Sequence, residues 1–418
     1  MENPKKLSVS QNALYNSVGA IFYCFCQWIT SAFLVVHLSP KDIAVSNTGL
    51  LQLAISVTNI FFAISLYSVR TYQISDTQNK YSTSDYIGAR FITASIAVVL
   101  CVAYVLILGY SAKNVLCIVF YMIYKLSETF CDVLHGVDQK NYRMDYVGIS
   151  YILRGIVSVV AFAAALLITG DVLVSIIVMA AAALSVMLFY DTAKTRQFGP
   201  IKPKFDKRVI TTLLLTCLPA VISTTSFTAI TSIPRQTLES MLGTEALGYY
   251  GTIATPLVVV QVLATGIFNP MLTQLADFYN EGEIKKFLQR LAKNLGILAG
   301  ITAAILVCVA LLGEFAVGLV FGEKFVPYTY LMYGIVGCTC MYVISWLCTN
   351  TLIIMRKLKV CMIASLAALA LSAIIARQFI NIFGMNGVSF SIILAYVIHV
   401  AICATIIYFD LRNKGKES

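Results

Sequence analysis

The chain has 418 residues, of which 59% are hydrophobic and 12% charged, and its mean hydropathy is +0.83. A soluble domain carries about 25% charged residues, so a large water-exposed module is excluded. The formal net charge of +10 would suggest nucleic acid on a soluble protein, but here the placement of the basic residues explains it and no nucleic-acid partner is expected.

Apolar stretches of about 20 residues, the length a helix needs to cross a hydrocarbon core about 30 Å thick, recur along the whole sequence. In chain order they predict helices at 13–36, 46–68, 91–110, 115–134, 146–168, 172–190, 210–231, 247–270, 294–313, 328–349, 360–376 and 386–408. Backbone groups in lipid must be satisfied within their own segment, so each is read as α-helical. The expected fold class is an all-α polytopic membrane protein of about twelve spans. The first span follows Lys5 and Lys6 as a signal peptide would, but it is too long and lacks a small-residue cleavage site, so it is read as a retained helix. The 12 cysteines lie mostly inside spans and are read as small apolar side chains. No Cys/His set has metal-ligand spacing, and neither a metal nor another cofactor is expected.

Basic residues follow the breaks. Those at 1–12, 69–90, 135–145, 191–209, 271–293, 350–359 and 409–418 hold 23 of the 30 Lys and Arg residues. The alternate breaks hold only Lys41, Lys113, Arg235, Lys324 and Arg377. Cytoplasmic loops collect Lys and Arg, which predicts that both termini are cytoplasmic. The basic break at 191–209 divides the chain. It predicts an N-terminal six-helix lobe over 1–190, a cytoplasmic linker over 191–209 and a C-terminal six-helix lobe over 210–418 with a short tail. Six is even, so both halves start from one side and are expected to be parallel repeats. Leu38, Ile43, Ala44 and Thr48 match Leu242, Leu247, Gly248 and Thr252 at one offset, each where its half's second helix begins.

A charge at mid-bilayer costs about 2.5–3.5 kcal/mol on insertion scales, so those present need a reason. The fourth span carries Lys125, Glu128 and Asp132, and the fifth carries Arg154. At helical pitch the first three share an arc of about 60°, with Tyr121 beside them. Two readings stand. In one the charges neutralise each other, Lys125 with Glu128 and Arg154 with Asp132 or Glu128. In the other they line a central cavity, where Lys125 and Arg154 bind an anionic substrate and Glu128 or Asp132 exchanges an ion. A pair that breaks on substrate binding serves both. Arg235, following Pro234 at the outer end of the seventh span, and Lys41, following Pro40, are substrate-binding candidates at the cavity mouth, or else snorkel to headgroups.

Other features carry less. Gln27, Gln52 and Asn59 are read as amides bonding between helices. Gly296 and Gly300 form a GxxxG, a signal for close helix contact. The segment 277–293 reads as an amphipathic surface helix, and His135 as a proton carrier. No GxxxxGK[ST] loop occurs, and no break is long enough for a nucleotide-binding domain, so transport driven by ATP on this chain is excluded. The breaks assigned to the outside are short, which argues against a polymerase or ligase for lipid-linked glycans. A secondary transporter, not an enzyme, remains.

The stretch from Ile233 to Gly251, with Asn269 and Pro270 closing the next helix, resembles the second-lobe start of polysaccharide flippases. The segments Phe321 to Phe325, Ile149 to Gly155 and Gly384 to Gly387 fit the same family. These are the Wzx-type O-antigen and capsule-repeat translocases of the multidrug/oligosaccharidyl-lipid/polysaccharide (MOP) exporter superfamily, and the resemblance covers essentially the whole chain. It implies a MATE-like fold whose two lobes alternate access across a bacterial inner membrane. The cargo it implies is an undecaprenyl-diphosphate-linked oligosaccharide, an O-antigen unit bound for lipopolysaccharide or a capsule unit. A polysaccharide polymerase and a chain-length regulator are the implied protein partners, beside membrane lipids. Relatives often hold a cationic cavity, whereas the fourth span here is mixed in sign. The same resemblance assigns proton or sodium coupling to Glu128 or Asp132. The alternatives are a cation-coupled multidrug exporter of MATE type and, from another class, a membrane glycan polymerase or ligase.

Overall fold

The computed structural model describes residues 6–76, 78 and 80–417, and within its helices the side chains at 257–260, 262–267, 269, 270, 273 and 413–417 fall outside that description. Lys5, the Asn269 and Pro270 side chains, Lys414 and Lys416 therefore lie outside the described residues. The helices are α1 Val9–Leu38, α2 Ala44–Ser75, α3 Thr83–Ile107, α4 Ala112–Lys140, α5 Met144–Thr169 and α6 Val172–Phe198. They continue as α7 Lys207–Leu242, α8 Thr244–Asn280, α9 Ile284–Phe321, α10 Leu331–Ile354, α11 Leu358–Phe383 and α12 Asn386–Glu417. Among the described residues, 11 helices are long and apolar enough to cross a membrane, and α8 covers the eighth expected span. No strand occurs among the described residues.

Two segments depart from expectation. Residues 277–293 form no single surface helix: α8 ends at Asn280, Gly282 turns at φ +75, and α9 starts at Ile284. The polar run is thus split between the tips of two long helices. Helix α7 continues through Pro219 and Pro234 to Leu242, so Arg235 sits inside a helix and not beyond its end. Neighbouring helices and hydroxyl side chains can re-satisfy the carbonyl that a membrane proline frees.

The chain forms two compact units, Met1–Thr228 and Ala229–Ser418. In the first, α1 packs on α5, α5 on α6, α6 on α4, and α4 on α2 and α3. The α1–α5 crossing depends on two glycines. A Cβ on Gly19 would stand 2.6 Å from the Gly148 Cα, and one on Gly148 would stand 2.4 Å from the Tyr15 carbonyl oxygen. Lipid supplies no hydrophobic drive between helices, so small residues that let backbones touch hold such crossings. The start of α7 belongs to this unit, with Ile210, Leu213 and Cys217 buried against Val69, Tyr86 and Leu134. The second unit repeats the neighbour order: α11 on α12, α12 on α10, α10 on α8 and α8 on α9. There the latter part of α7 joins α11, where the Ser372 hydroxyl donates to the Ile230 carbonyl at 3.2 Å.

Bonds between breaks show which ends of the helices meet. At one end of the first unit Asn47 donates to the Gly170 carbonyl at 3.0 Å, and Lys113 pairs with Asp171 at 3.3 Å. At the other, the Lys204 amide donates to the Ser84 carbonyl at 3.0 Å, Lys140 to the Asp76 carbonyl at 2.9 Å and the Leu7 amide to the Tyr142 carbonyl at 3.1 Å. Successive breaks of α1–α6 therefore alternate between two ends, as the charge pattern requires. Asp76 anchors the basic end. Burial opposes its charge, but the Lys80 and Tyr81 amides, the Tyr86 hydroxyl and nearby Lys140 outweigh it and hold the carboxyl below its usual range. In the second unit Asp410 has the matching role, pairing with Lys357 at 2.8 Å and accepting from the Tyr279 hydroxyl at 2.7 Å.

Candidate functional site

Helix α4 carries the polar face predicted from sequence, and its charges split into three groups. The first surrounds Glu128. Lys125, one turn earlier, approaches both carboxylate oxygens at 3.0 and 3.1 Å. From α1, the Tyr23 hydroxyl donates at 2.6 Å and the Gln27 amide at 3.1 Å. From α5, the Arg154 guanidinium lies 3.9 Å away. Tyr124 joins the network, 2.8 Å from the Tyr23 hydroxyl and 2.7 Å from the Gln27 amide. Two cations thus face one carboxylate, leaving a net positive charge. Arg154 lies ten residues into α5, about 15 Å along the helix from Met144 at 1.5 Å per residue.

Arg154 is buried, at 1% exposure, yet poorly satisfied. Its bonds to the Tyr23 and Ser127 hydroxyls are both 3.4 Å, and its Nε has no partner. Lys125 lies over the rings of Phe62, Tyr121 and Tyr124 at 5.0, 5.9 and 5.6 Å, an arrangement that stabilises an ammonium away from water. The void beside the network, lined by Tyr23, Gln27, Tyr124 and Gly155 among others, is only about 10 Å³, room for about one water. The pairing read from sequence is therefore present for Lys125 and Glu128, with Arg154 beside the same carboxylate and one positive charge left over.

The second group holds Asp132, which does not meet Arg154. It pairs with Arg90 of α3 at 2.5 Å and with Arg70 at 3.6 Å. The reason lies in the backbone. Helix α2 breaks at Tyr67 and Ser68, both with positive φ (47 and 52), freeing the carbonyls before the break. Arg90 donates to the Ser65 and Leu66 carbonyls at 2.8 and 2.6 Å, acting as the cationic cap of that half-helix. Asp132 balances the cap's charge. Arg90, taken from sequence as part of a polar break, is fully buried within α3. Removing one partner of such a pair costs about 3–5 kcal/mol, so Asp132→Ala is expected to lower the detergent melting temperature and the monodisperse yield sharply. Asp132→Asn, which keeps an acceptor, should lose less; an Ala variant as stable as the native protein would contradict this assignment.

The third group was not legible as a set. Cys131 and His135 of α4 meet Asp191 of α6, with ligand-type atoms within 4.8 Å of one another. The spacing of Cys131 and His135 showed no metal pattern because Asp191 lies in a different helix. The three satisfy each other, Cys131 donating at 3.2 Å and His135 lying 3.2 Å from the carboxylate. His135 is thus tied into a buried pair.

The remaining predicted residues lie elsewhere. Lys41 is exposed in the turn between α1 and α2. Arg235 is half-buried in α7, its guanidinium 5.9 Å from the Tyr250 ring and its Nε unpartnered. Tyr250 is fixed by Ser389 at 3.0 Å. The close contact expected at Gly296 and Gly300 is absent, since nothing lies within 4 Å of a Cβ placed on either.

Residues 9–276 match the family described as polysaccharide biosynthesis protein. The chain belongs to that family. It is also 26% identical over 319 residues to the capsular polysaccharide biosynthesis protein CapF of Staphylococcus aureus, covering 75% of this chain and 78% of that one. Among solved structures it is similar to an inward-facing multidrug resistance MATE family transporter of the MOP superfamily, with a TM-score of 0.74 at 11% identity and 96% of each chain covered. A MOP superfamily transporter from Pyrococcus furiosus, whose binding pocket is described as of reverse polarity, matches at 0.63 and 12% identity over 97% and 96% of the two chains. The fold is therefore MATE-like. The polysaccharide biosynthesis family and this fold make the protein a multi-pass membrane protein of that family with a MATE-like architecture.

Proposed function

We propose that the protein moves an undecaprenyl-diphosphate-linked oligosaccharide, an O-antigen or capsule repeat unit, across the bacterial inner membrane. Two six-helix lobes would alternate access to the two faces, with both termini in the cytoplasm. The observation that carries this reading is the Lys125, Glu128 and Arg154 network in a family of polysaccharide biosynthesis proteins. A diphosphate cannot enter hydrocarbon without compensating charge. Arg154, with an unpartnered Nε and long bonds elsewhere, has donors to spare for such an anion.

The closed network must open to accept a headgroup. Tyr23 and Gln27 of α1 hold Glu128, and from two residues beyond Gln27 the helix is π-wound over Ile29–Leu34. Such irregular turns gather at functional sites and mark where a helix bends. When α1 bends away and Glu128 takes up a proton or sodium ion, Lys125 and Arg154 are released to the diphosphate. Asp132 is a second coupling position, because its carboxylate borders a cavity of about 450 Å³ shared with Arg70 and Thr228. Arg235 and Lys41 serve as further anion contacts, and the polymerase and chain-length regulator receive the product. The polyprenyl tail stays in lipid throughout.

Deleting the gene tests this directly. Surface polysaccharide should disappear while lipid-linked repeat units accumulate on the cytoplasmic leaflet, with both restored by the native chain. Accumulation of unlinked sugars instead, or of fully flipped but unpolymerised units, would contradict the assignment.

A further inference from the structure

A second cavity, about 1230 Å³ in volume, lies wholly within the first unit at its basic end. It is bounded by the start of α1, the turns before α3 and α5, and the segment after α6. Pockets for small ligands span roughly 300–1,000 Å³, so this one has room for several linked rings. Its chemistry differs from that of the Glu128 network. The walls carry the amides Asn16, Gln73 and Asn141 and the phenols Tyr81, Tyr86 and Tyr142. Lys80, Lys140 and Lys204 stand against Asp85 in the lining and Asp76 just behind it, leaving a positive balance.

Two lining side chains, each more than nine-tenths buried, keep a polar atom with no hydrogen-bond partner, the Tyr81 hydroxyl and Asp85 Oδ1, while Gln73 Oε1, which has none either, is packed against Gly136. Lys204 stands 3.9 Å from that Asp85 oxygen, too far for a hydrogen bond. Native proteins leave few such atoms, and each asks for an explanation. Tyr142 holds φ 57 as the left-handed residue that caps the end of α4, where the Arg143 amide donates to the Asp138 carbonyl at 3.0 Å, and it presents a half-exposed ring at the cavity rim.

We propose that this cup binds the sugar portion of the lipid-linked substrate on the cytoplasmic side, before translocation, through amides and phenols that recognise a hydroxyl-rich chain. A saccharide offers many donors and acceptors together with apolar C–H faces. Planar amides meet the first and tyrosine rings the second. The lysines favour a saccharide that carries negative charge, whether from an acidic sugar or from the diphosphate at its reducing end. The proposal rests on the flippase reading for its choice of ligand, and on the cavity alone for its chemistry.

The test uses the full-length protein in nanodiscs. The probe is the repeat-unit oligosaccharide cut from the cell's own surface polysaccharide, free of lipid and phosphate, with binding read by calorimetry and saturation-transfer NMR. The native protein should bind it saturably, and Tyr81→Phe and Tyr142→Gly should each weaken binding by about three- to tenfold. Tyr142→Gly relieves the backbone strain, so its melting temperature should hold or rise while binding falls, which a merely structural tyrosine would not do. Adding inorganic diphosphate separates the sources of charge: competition places the lipid's diphosphate in the cup, and no competition assigns the sugar alone, the proposal as stated requiring sugar binding in either case. Absence of saturable binding, or equal binding by the variants, overturns it. The flippase reading fails separately. Sugar binding with surface polysaccharide intact after gene deletion would keep the cup and discard the flippase, and the opposite pair of results would do the reverse.

Discussion

Arg154→Ala is expected to reduce surface polysaccharide to about a tenth or less while the protein remains in the membrane at its normal level. A hydrogen bond to a charged group contributes about 1.5–3 kcal/mol, and 1.4 kcal/mol is already a factor of about ten. The variant separates function from folding because of how Glu128 is held. Without Arg154 the carboxylate keeps Lys125 at 3.0 Å, the Tyr23 hydroxyl at 2.6 Å and the Gln27 amide at 3.1 Å, so no buried charge is left alone. Arg154→Lys retains charge without the planar fork and should recover part of the activity. Glu128→Gln behaves differently: it leaves two cations facing each other without their counter-ion, and its main effect should be on stability. Immunoblots of membranes beside polysaccharide gels distinguish these outcomes. Normal polysaccharide in both Arg154→Ala and Lys125→Ala would remove the network from transport.

Gly148→Val should strongly disrupt the first unit. A Cβ there meets the Tyr15 carbonyl oxygen at 2.4 Å and its carbon at 2.9 Å, both backbone atoms that cannot rotate aside. Overpacking typically costs about 1–3 kcal/mol, and here relief requires α1 to move off α5. That motion would take Tyr23 away from Arg154 and Tyr151, its ring neighbour at 5.6 Å. The expected readout is a lower melting temperature and loss of the monodisperse peak in detergent. Gly296→Val and Gly300→Val, with open space around both positions, should leave that profile unchanged. The reverse ranking would show that the α1–α5 crossing is not tight.

The contrast between these glycines shows where reading a sequence stops. A GxxxG fixes spacing along one helix but not whether another helix faces it, and Gly19 and Gly148, 129 positions apart, share no local signal. Spans were legible because hydrocarbon thickness sets their length, and the alternation of their ends because charge follows the membrane side. Boundaries were less so: α3 begins at Thr83, which turns Arg90 from a loop charge into a buried cap. The break in α2 that gives Arg90 its task is a backbone event at Tyr67 and Ser68, neither of which signals a left-handed backbone. Lys125 and Glu128 could be paired from helical pitch. Their partners Tyr23 and Gln27 sit about a hundred positions earlier in an ordinary apolar span, and only the α1–α5 crossing brings them in. Asp191 reaches Cys131 and His135 in the same way, through the packing of α6 on α4.

Transbilayer movement of the lipid-linked repeat unit in proteoliposomes tests the central claim most directly. The purified protein would be reconstituted with the radiolabelled unit in both leaflets, and an external glycosidase would report what reaches the outside. The account predicts that the native protein exposes the inner pool to digestion, that empty vesicles protect about half, and that Arg154→Ala protects as empty vesicles do. Digestion with the native protein that stops at the same half, or an Arg154→Ala protein that empties the inner pool at the native rate, would contradict it.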